Sequence, residues 1–412
     1  MTVYPSKIKG KVKVSGSKNS ALAILCASLV TAKKVKLNNV SDISDIKNLF
    51  AIFQNIGVSV DFNKNVAKVD SKNITYKDLH FDLVKKFRAS YYLMSVFLVL
   101  FKRVSIYYPG GCSIGSRPID FHLEGFIKAG CSVNINGDII DIKVDKLKPF
   151  IYRMGKKSLG ATVNLLILAS KTNGTSIIKN ASTEPEVDDL ISFINKGYAY
   201  IKRKGNDIII SGNVNKKEKV FHKIMFDRIE CFTFMCIGTQ SKKLTITGVD
   251  PSVLVMPIYY LKNANANIKV NKKSIVVKKS NLDSIVANSF DYPSLSTDQM
   301  PMLYPLYIKG NKTCVFTEGI FEGRFTVLDE LKKTNANITY EKNKALITGC
   351  DNLVSANFMP NDLRAAASLL IASIIIPNST IYNLEYLERG YENIYNKLKK
   401  IGLNFKIDNN SV

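Results

Sequence analysis

Hydrophobic and polar positions recur along the chain in one pattern, which appears six times. Each copy reads as an apolar helix, a β-branched strand, an amphipathic helix and a β-hairpin. Apolar residues three to four positions apart predict the helices, and strict alternation predicts the strands. The copies begin, at successive offsets of 70, 69, 71, 70 and 66 residues, at Lys18, Arg88, Lys157, Arg228, Asp298 and Arg364. Such regular spacing indicates repeated supersecondary units.

The first copies show the predicted elements in full. Copy one predicts, in chain order, a helix at 19–30, a strand at 35–40, a helix at 43–56 and hairpin strands at 58–62 and 66–70. Copy two predicts the same elements at 88–101, 104–107, 119–129, 132–136 and 139–144, and copy three has a strand at 176–180 and a second helix at 187–194. The first helix of each copy is apolar almost all round, which is typical of a buried helix. We therefore predict α/β units of βαβαββ-like order with helices inside and sheets outside.

The two chain ends indicate how the copies are grouped. The sixth copy ends with a single clear strand at 403–407, and the chain opens with strand-like segments at 3–8 and 11–14 that no helix precedes. We expect the N-terminus to complete the sixth unit. This predicts two domains of three units each: residues 15–226, and residues 1–14 plus 227–412, the second containing both chain ends.

The composition changes this picture only in part. The net charge is 58 − 34 = +24, which makes nucleic acid a candidate partner. However, the excess is mostly lysine spread along the chain beside Asn, Ile and Tyr. The nine arginines are more informative, because guanidinium groups are favoured where anions are bound bidentately.

The cysteines and apolar runs indicate the compartment. The seven cysteines form no CxxC pair, which favours free thiols in a reducing compartment. Six of them, at 26, 131, 231, 236, 314 and 350, lie in apolar surroundings and are predicted to be core residues. The N-terminus lacks an apolar signal core, and the longest apolar run, 89–101, is shorter than the roughly 20 residues that cross a bilayer. We expect a cytoplasmic protein with no membrane partner and no metal site.

Cations stand at the starts of five of the six inner helices. The residues at these positions are Lys18, Arg88, Lys156 with Lys157, Arg228 and Arg364, and the fifth copy has Asp298 instead. A helix N-terminus carries about half a positive charge, so acidic residues are normally favoured there. Either these cations bend into water or pair with neighbours such as Asp227 and Asp362, or they await anionic ligands. Because five of the six copies share this feature, anionic ligands are the favoured explanation. We therefore predict an enzyme in which helix ends from both domains face one cleft, for substrates that carry several phosphates or carboxylates.

A glycine-rich loop at 108–122 holds the strongest candidate chemistry. Its three glycines and two prolines exclude a continuous helix or central strand. Cys112 lies among the glycines and close to Arg117, a setting that favours a reactive thiolate. The alternative is a surface turn with an incidental cysteine. His122 is either a direct participant or a hydrogen-bond partner.

Ten segments, taken together, carry a family resemblance. They are Gly16 to Leu22, Arg88-Ala89-Ser90, Pro109 to His122, Gly160-Ala161-Thr162, Glu184-Pro185-Glu186, Asp227 to Glu230, Thr297-Asp298, Ile320 to Phe325, Asp362-Leu363-Arg364 and Arg389-Gly390-Tyr391. In this order the chain resembles the UDP-N-acetylglucosamine 1-carboxyvinyltransferases, a family of enolpyruvyl transferases, over nearly all of its length. The resemblance implies two inside-out α/β barrel-like domains, each with threefold pseudosymmetry.

The resemblance implies a reaction with two substrates and no cofactor. The enolpyruvyl group of phosphoenolpyruvate passes to the 3′-hydroxyl of UDP-N-acetylglucosamine, and phosphate is released by addition followed by elimination. This is the first committed step of peptidoglycan precursor synthesis. No nucleic acid is implied as a partner, and we expect a monomer.

The resemblance also assigns the catalytic roles. Cys112 is implied to be the proton donor, to form a covalent adduct with phosphoenolpyruvate and to be the target of fosfomycin. Asp298 is implied to be the base for the sugar hydroxyl. Lys18, Arg117 and Arg389 are implied to grip the phosphate and carboxylate of phosphoenolpyruvate. Two further residues are implied to assist, Arg364 beside Arg389 and Asn19 on the intermediate.

The remaining implied contacts hold the nucleotide sugar. They are Arg88, Arg117, Pro118, Ile119, Asp120, Phe121, Lys156, Lys157, Ser158, Leu159 and Ile320. This chain departs from the usual pattern in three places: Gly-Ser-Lys-Asn-Ser replaces Gly-Ala-Lys-Asn-Ala, Tyr91-Tyr92 replaces an aliphatic residue and Trp, and Lys157 is additional.

Two alternatives stay open. The shikimate-pathway enolpyruvyl transferase shares the fold and phosphoenolpyruvate but does not use a Pro-Gly-Gly-Cys loop. A degenerate basic paralogue that binds nucleic acid would be expected to have lost Lys18, Cys112, Asp298 or Arg389, and this chain has all four.

Overall fold

The computed structural model describes residues 1–31, 34–86, 88–108, 118–214 and 218–407. This part of the chain contains 23 β-strands. In chain order they are β1 Thr2–Val3, β2 Lys9–Lys13, β3 Lys34–Asn38, β4 Ser59–Asn63, β5 Val66–Asp70, β6 Arg103–Tyr107, β7 Ser132–Asn136, β8 Ile139–Lys143, β9 Ile151–Arg153, β10 Gly174–Lys179, β11 Tyr200–Lys204, β12 Asp207–Gly212, β13 Lys219–Lys223, β14 Lys243–Thr247, β15 Asn267–Asn271, β16 Ser274–Lys278, β17 Val286–Ser289, β18 Thr313–Glu318, β19 Asn337–Glu341, β20 Lys344–Thr348, β21 Asn357–Phe358, β22 Thr380–Ile381 and β23 Phe405–Lys406.

The same residues contain 13 α-helices. They are α1 Lys18–Thr31, α2 Ser44–Asn55, α3 Asp82–Lys86, α4 Tyr92–Phe101, α5 Asp120–Lys128, α6 Leu159–Ser170, α7 Pro185–Asn195, α8 Arg228–Gly238, α9 Val255–Asn263, α10 Thr326–Lys332, α11 Leu363–Ile375, α12 Glu385–Glu388 and α13 Ile394–Lys400. Short 3₁₀-helices lie at Arg88–Tyr91, Pro251–Leu254, Met300–Met302, Tyr304–Tyr307 and Glu322–Phe325. None of the described helices is both long and apolar enough to cross a bilayer.

The described residues divide into two compact units. The first unit comprises residues 16–108 and 118–225, and the second unit comprises residues 1–15 and 226–407. Three sheets belong to the first unit, with the strand orders β13-β3-β5-β4, β6-β8-β7 and β11-β12-β10-β9. Three belong to the second unit, with the orders β15-β16-β14-β2, β17-β18-β20-β19 and β21-β22-β1-β23.

The first unit has buried helices at its centre. Helix α1 is apolar on all sides, and its residues from Ser20 to Thr31 are buried. Helices α1, α4 and α6 pack against one another. The strands alternate as half-buried strands should: in β5, Ala67 and Val69 are buried while Lys68 between them is exposed. The predicted arrangement of buried helices and outer sheets is confirmed.

The second unit follows the same plan, with α8 and α11 almost fully buried. The N-terminal strand β1 lies between β22 and β23, so that Thr2 pairs with both Thr380 and Lys406. Strand β2 continues the chain and pairs in parallel with β14. The opening segment therefore contributes strands to two sheets of this unit.

One predicted helix is wrong. The fifth copy was expected to begin with an apolar helix at Asp298, but the structure has two short 3₁₀-helices there, Met300–Met302 and Tyr304–Tyr307. Pro301 and Pro305 lack the backbone N–H that an α-helix needs, and their rings clash with the preceding turn. The Pro301 carbonyl is instead satisfied by the Ser368 hydroxyl, which donates to it at 2.7 Å. Other predicted bounds differ by a few residues; the last strand, for example, spans only Phe405–Lys406.

Candidate active site

Lys18 is the first residue of α1 in the first unit. Its Nζ lies 3.0 Å from Oδ2 of Asp45, and the two side chains are 14% and 5% exposed. Asp45 stands in the first turn of α2, where the helix dipole also favours a carboxylate. Of the alternatives for this cation, pairing with a carboxylate of the chain is the one seen at Lys18. Its implied contact with phosphoenolpyruvate stays a prediction.

The serine that replaces the usual alanine after Asn19 has a structural partner. The Ser20 hydroxyl donates to Oδ2 of Asp189. The same carboxylate accepts from the Met225 backbone N–H at 3.0 Å and contacts Nε2 of His222 at 2.8 Å. Asn19 itself is half-buried beside Lys18. The serine at position 20 thus adds a hydrogen bond that holds the start of α1, and the neighbouring Lys18 and Asn19 are the residues that the family pattern has.

His122 lies in a buried hydrogen-bond network of the first unit. Ser95 donates to Oδ1 of Asn164 at 2.8 Å, which orients the amide. The Asn164 amide nitrogen then donates to Nδ1 of His122 at 2.8 Å, so the other ring nitrogen carries the proton. Burial, and secondarily the Arg88 charge, lower the pKa of His122 to about 3. The imidazole is therefore neutral at ordinary pH and offers no positive charge to an anion.

Three segments implied to hold the nucleotide sugar meet around this histidine. The Arg88 guanidinium lies 5.5 Å from the centre of the Tyr91 ring, and that ring packs edge-on against His122 at 4.9 Å. A Cβ at Gly160 would lie 2.7 Å from the Tyr91 hydroxyl and 3.1 Å from Nε2 of His122. The absence of a side chain at Gly160 therefore leaves room for the Tyr91 and His122 rings at the start of α6.

The remaining residues of these segments differ in exposure. Pro118 and Asp120 are exposed, Ile119 is buried, and Phe121 is half-buried beside Gly155. In the neighbouring segment Lys156 is exposed, and Lys157 reaches the Thr183 hydroxyl at 3.5 Å.

Ser158 and Leu159 begin helix α6. The Ser158 hydroxyl caps the helix by accepting from the Ala161 N–H at 3.2 Å, and Leu159 is its first residue. The Ser158 side chain thus has a structural partner of its own, independent of any substrate.

In the second unit Asp298 is bound by two arginines. Its Oδ2 accepts from Nη2 of Arg364 at 2.9 Å, and its Oδ1 accepts from Nη2 of Arg324. Burial lowers the pKa of the Arg364 guanidinium, but the charge of Asp298 and its hydrogen bond, together with the nearby Tyr391 and Asp227, raise it more, so that the pKa lies above its ordinary value. The position of Asp298 predicts an acid that complements a helix start, but this prediction is wrong, since its partners are guanidinium groups.

Arg389 follows α12 and is half-buried. The next residue, Gly390, packs against the first turn of α11: a Cβ there would lie 2.5 Å from a methyl carbon of Leu363. Tyr391 is close enough to Arg364 for their charges to interact, and its hydroxyl pairs with that of Thr233 at 2.8 Å. The segment 389–391 is thereby held beside the start of α11, where Arg364 and Asp298 meet.

Ile320 is 40% exposed at the end of β18. Its backbone N–H donates to Oε1 of Glu318 at 2.8 Å. Burial raises the pKa of Glu318 above its ordinary value, and the N–H donors of Ile320 and Phe321 partly offset this. Glu318 and Arg324 were given no role from the sequence; the only signals were the rarity of arginine and the match of 320–325 to the family.

Cys112 and Arg117 lie outside the described residues, as does the whole of 109–117. Of the other cysteines, Cys26, Cys131, Cys231, Cys236 and Cys314 are buried, as expected of core residues, but Cys350 is only half-buried. Burial raises the pKa of the Cys26 thiol well above its ordinary value, which makes that cysteine a poor nucleophile.

Comparisons with known proteins agree over nearly the whole chain. A family model described as EPSP synthase (3-phosphoshikimate 1-carboxyvinyltransferase) matches residues 3–398. The UDP-N-acetylglucosamine 1-carboxyvinyltransferase of Prochlorococcus marinus (strain MIT 9312) is 36% identical over 403 residues, covering 96% of this chain and 88% of that protein. The chain belongs to the enolpyruvyl transferase family. The protein of the same name from Halothermothrix orenii is 35% identical over 404 residues, 97% of each chain.

Solved structures of this family show the same fold. The enolpyruvyl transferase NikO from Streptomyces tendae superposes with a TM-score of 0.88 at 21% identity, covering 98% of this chain and 97% of that one. EPSP synthase from Acinetobacter baumannii superposes with a TM-score of 0.75 at 17% identity, covering 99% of both chains. The α/β fold class and the family predicted from the sequence are both confirmed.

Proposed function

We propose that this enolpyruvyl transferase transfers the enolpyruvyl group of phosphoenolpyruvate to the 3′-hydroxyl of UDP-N-acetylglucosamine and releases phosphate. The observation that carries the proposal is 34–36% identity over nearly the full length to proteins named UDP-N-acetylglucosamine 1-carboxyvinyltransferase. The presence of Lys18, Cys112, Asp298 and Arg389 supports it, because those are the residues to which the resemblance assigns the chemistry.

The reaction requires an acid, a base and a set of cations. In the addition step the sugar oxygen bonds to C2 of phosphoenolpyruvate, its proton passes to Asp298, and C3 receives a proton from Cys112. In the elimination step the deprotonated Cys112 takes a proton back from C3 as the bond from C2 to the phosphate oxygen breaks. The phosphate leaves with the electron pair of that bond and receives the proton held by Asp298. Negative charge on the phosphate and carboxylate is met by Lys18, Arg117 and Arg389.

The geometry of the second unit supports the assignment of Asp298. Its carboxylate lies next to Arg364 and in the unit that also carries Arg389, so a base and two anion contacts occur together. The carboxylate of phosphoenolpyruvate would compete with the Asp298 carboxylate for binding to the Arg364 guanidinium. Asn19, next to Lys18 in the first unit, would hold the intermediate.

The first unit supports binding of the nucleotide sugar. Arg88, the 118–121 segment and the 156–159 segment gather around Tyr91, His122 and Gly160. We propose that these residues contact the nucleotide and that Ile320 of the second unit contacts the sugar. The neutral His122 would act by holding Tyr91 and Asn164 in place.

We further propose that the protein works in the cytoplasm as a monomer without a cofactor. Its product would enter peptidoglycan precursor synthesis, on which cell shape and division depend, and fosfomycin would alkylate Cys112. No nucleic-acid or membrane partner is part of the proposal.

Phosphate release from phosphoenolpyruvate tests the function directly. Release should require UDP-N-acetylglucosamine and should not occur with shikimate 3-phosphate. Cys112→Ala should nearly abolish turnover and fosfomycin labelling, whereas Cys112→Asp should keep some turnover and resist the drug, because a carboxylic acid can donate the same proton. Release with shikimate 3-phosphate alone would replace the proposed acceptor, and full turnover of Cys112→Ala would remove the proposed acid.

A further inference from the structure

Arg324 is a buried arginine in contact with the proposed base, Asp298. Its side chain is 3% exposed. Nη2 donates to Oδ1 of Asp298, and Nε donates to the Thr297 hydroxyl oxygen at 3.2 Å. Nη1 lies 3.8 Å from the carboxylate of Asp362. A buried guanidinium held this way is a fixed charge whose donors point in set directions.

Thr297 and Glu318 fix the orientation of Arg324. The Thr297 hydroxyl donates its one proton to Oε2 of Glu318 at 3.0 Å, so its oxygen is left to accept from Arg324. The other oxygen of Glu318, Oε1, accepts from the backbone N–H groups of Ile320 at 2.8 Å and Phe321 at 3.2 Å. A hydrogen-bonded chain therefore runs from the strand end at Glu318 through Thr297 and Arg324 to Asp298.

We infer that Arg324, anchored by Thr297 and Glu318, is a positioning residue that orients the Asp298 carboxylate and keeps it ionised for the proposed reaction. The inference rests on the proposed function, in which Asp298 is the base. Arg324 binds one oxygen of Asp298 and Arg364 the other, so the plane of the carboxylate is defined. A carboxylate has about four acceptor sites, so the two guanidinium contacts do not by themselves exhaust its capacity to accept the proton of the sugar hydroxyl.

The same series of hydrogen bonds also connects the proposed base with the residue proposed to contact the sugar. Glu318 holds the backbone of Ile320, the residue proposed to contact the sugar, and through Thr297 it holds Arg324. One carboxylate therefore sets the positions of both a sugar contact and the base. A shift of this anchor displaces the base from the hydroxyl that it must deprotonate, and small displacements of reacting groups are costly to the rate.

Paired variants separate positioning from mere stability. Thr297→Val removes the hydroxyl at nearly constant volume and should lower kcat roughly tenfold or more while KM for both substrates changes little. Thr297→Ser restores the hydroxyl and should recover most of kcat. Arg324→Met should lower kcat on the order of 100-fold, and Arg324→Lys should be intermediate.

The pH profile supplies the readout that a structural role would not move. Asp298 is faced by Arg324 and Arg364, with Asp362 and Glu318 in the next contacts. Removing the Arg324 charge makes the carboxylate easier to protonate, so the acidic limb of kcat should move to higher pH in Arg324→Met and return in Arg324→Lys.

A matched control is Lys397→Met, which removes the cation from another buried ion pair of the second unit, with Glu230. It should lower thermal stability without moving the acidic limb. If Arg324→Met keeps the wild-type limb, or behaves as Lys397→Met does, the inference is wrong.

A second measurement needs no turnover. Carbon NMR of labelled aspartate carboxyl groups, with Asp298→Asn to assign the signal, should show the titration midpoint of Asp298 rise in Arg324→Met. An unmoved midpoint overturns the inference even if the enzyme is active. A moved midpoint in a protein that releases no phosphate overturns the proposed function and leaves the contact between Arg324 and Asp298 established.

Discussion

At the scale of single residues, Lys18 has a partner that helix-dipole reasoning does not foresee. From the dipole alone Lys18→Met should melt at or above the wild-type temperature. Because Lys18 pairs with Asp45, whose side chain is 5% exposed, we now expect the variant to lose about 1–3 kcal/mol of unfolding free energy in the absence of ligands. Urea unfolding measures this loss. The double variant with Asp45→Asn should recover part of it, and a Lys18→Met protein as stable as the wild type would show that the pair contributes nothing.

His122 predicts how stability responds to acid. Its pKa is lowered from 6.5 to about 3, chiefly by burial, so between these values the unfolded chain binds a proton that the folded chain does not. Stability from this residue is complete above pH 6.5 and is lost by about 1.4 kcal/mol for each pH unit below it.

His122→Asn keeps an acceptor for Asn164 but has no imidazole to protonate. Between pH 7 and pH 5 the wild type should therefore lose more unfolding free energy than the variant, so that the two proteins are closer in stability at pH 5. Denaturant unfolding at the two values tests this. His80→Asn, at a half-buried histidine bound to Ser105, is the control. If the wild type loses no more than His122→Asn does on acidification, the neutral buried imidazole is not the cause.

Which residues matter was more predictable than how they pair. Lys18, Asp298 and Arg364 stand out in the sequence because charges are unusual at the starts of apolar helices. Lys18 pairs with Asp45, 27 residues away along the chain, and Asp298 and Arg364 pair with each other across 66 residues. Such pairings depend on how helices pack, which no local pattern contains. Arg324 is the clearest omission, because its role follows only from its distances to Thr297 and Asp298.

At the scale of elements, the periodic pattern predicted the repeats well and failed where proline overrode it. Helices α1, α6, α8 and α11 were expected from uninterrupted apolar stretches and are present. The fifth copy is just as apolar, but Pro301 and Pro305 prevent an α-helix. Both prolines are present in the sequence and argue against an α-helix at this point, whereas the regular spacing of the copies argues for one.

Helix caps explain how cations are tolerated at the starts of α8 and α11. Asp227 precedes Arg228, and its Oδ1 accepts from the N–H groups of Ile229 and Glu230, both at 2.9 Å. Asp362 caps α11 in the same way. The carboxylate at the cap offsets the positive end of the helix dipole, which reduces the repulsion between that end and the arginine that follows.

The cap of α8 gives a prediction of its own. Asp227→Ala should lower the unfolding free energy by about 1 kcal/mol, whereas Asp227→Asn, which keeps the accepting oxygen, should lower it by less. Thermal and denaturant unfolding of the two variants measure the difference. Asp227 is preferable to Asp362 for this test, because Asp362 also lies near Arg324. Equal losses in both variants would mean that the charge, not the cap, stabilises the helix.

At the scale of the whole molecule, the repeat period was sufficient to predict the fold class. Six copies near seventy residues apart left few arrangements of sheets and helices. The charge of +24 was a weaker guide, since lysines spread over the surface are compatible with many functions. The helix-start charges and the glycine-rich loop indicated candidate site residues, but the substrates and the catalytic roles were implied only by the family resemblance. The central loop, with Cys112, lies outside the described residues.

The second unit depends on the N-terminal segment, which is more than 200 residues away in sequence from the rest of that unit. Strand β1 lies inside its sheet, between β22 and β23, and the N-terminal amine donates to the Ile381 carbonyl at 2.7 Å. Val3 and Ile8 are buried in the hydrophobic core of this unit. Deleting residues 2–8 should expose the edges of two strands and remove part of that core.

Hydrogen exchange followed by mass spectrometry can localise the effect of this deletion. Peptides from the second unit, especially those containing β22, β23 and α11, should lose protection, because β1 supplies their central strand. Peptides from α1, α4 and α6 should exchange as in the wild type, since those helices form the core of the first unit. Loss of protection in both units together would mean that they unfold as one cooperative body. Unchanged protection in the second unit would mean that β1 is dispensable, and that the sheet closes without it.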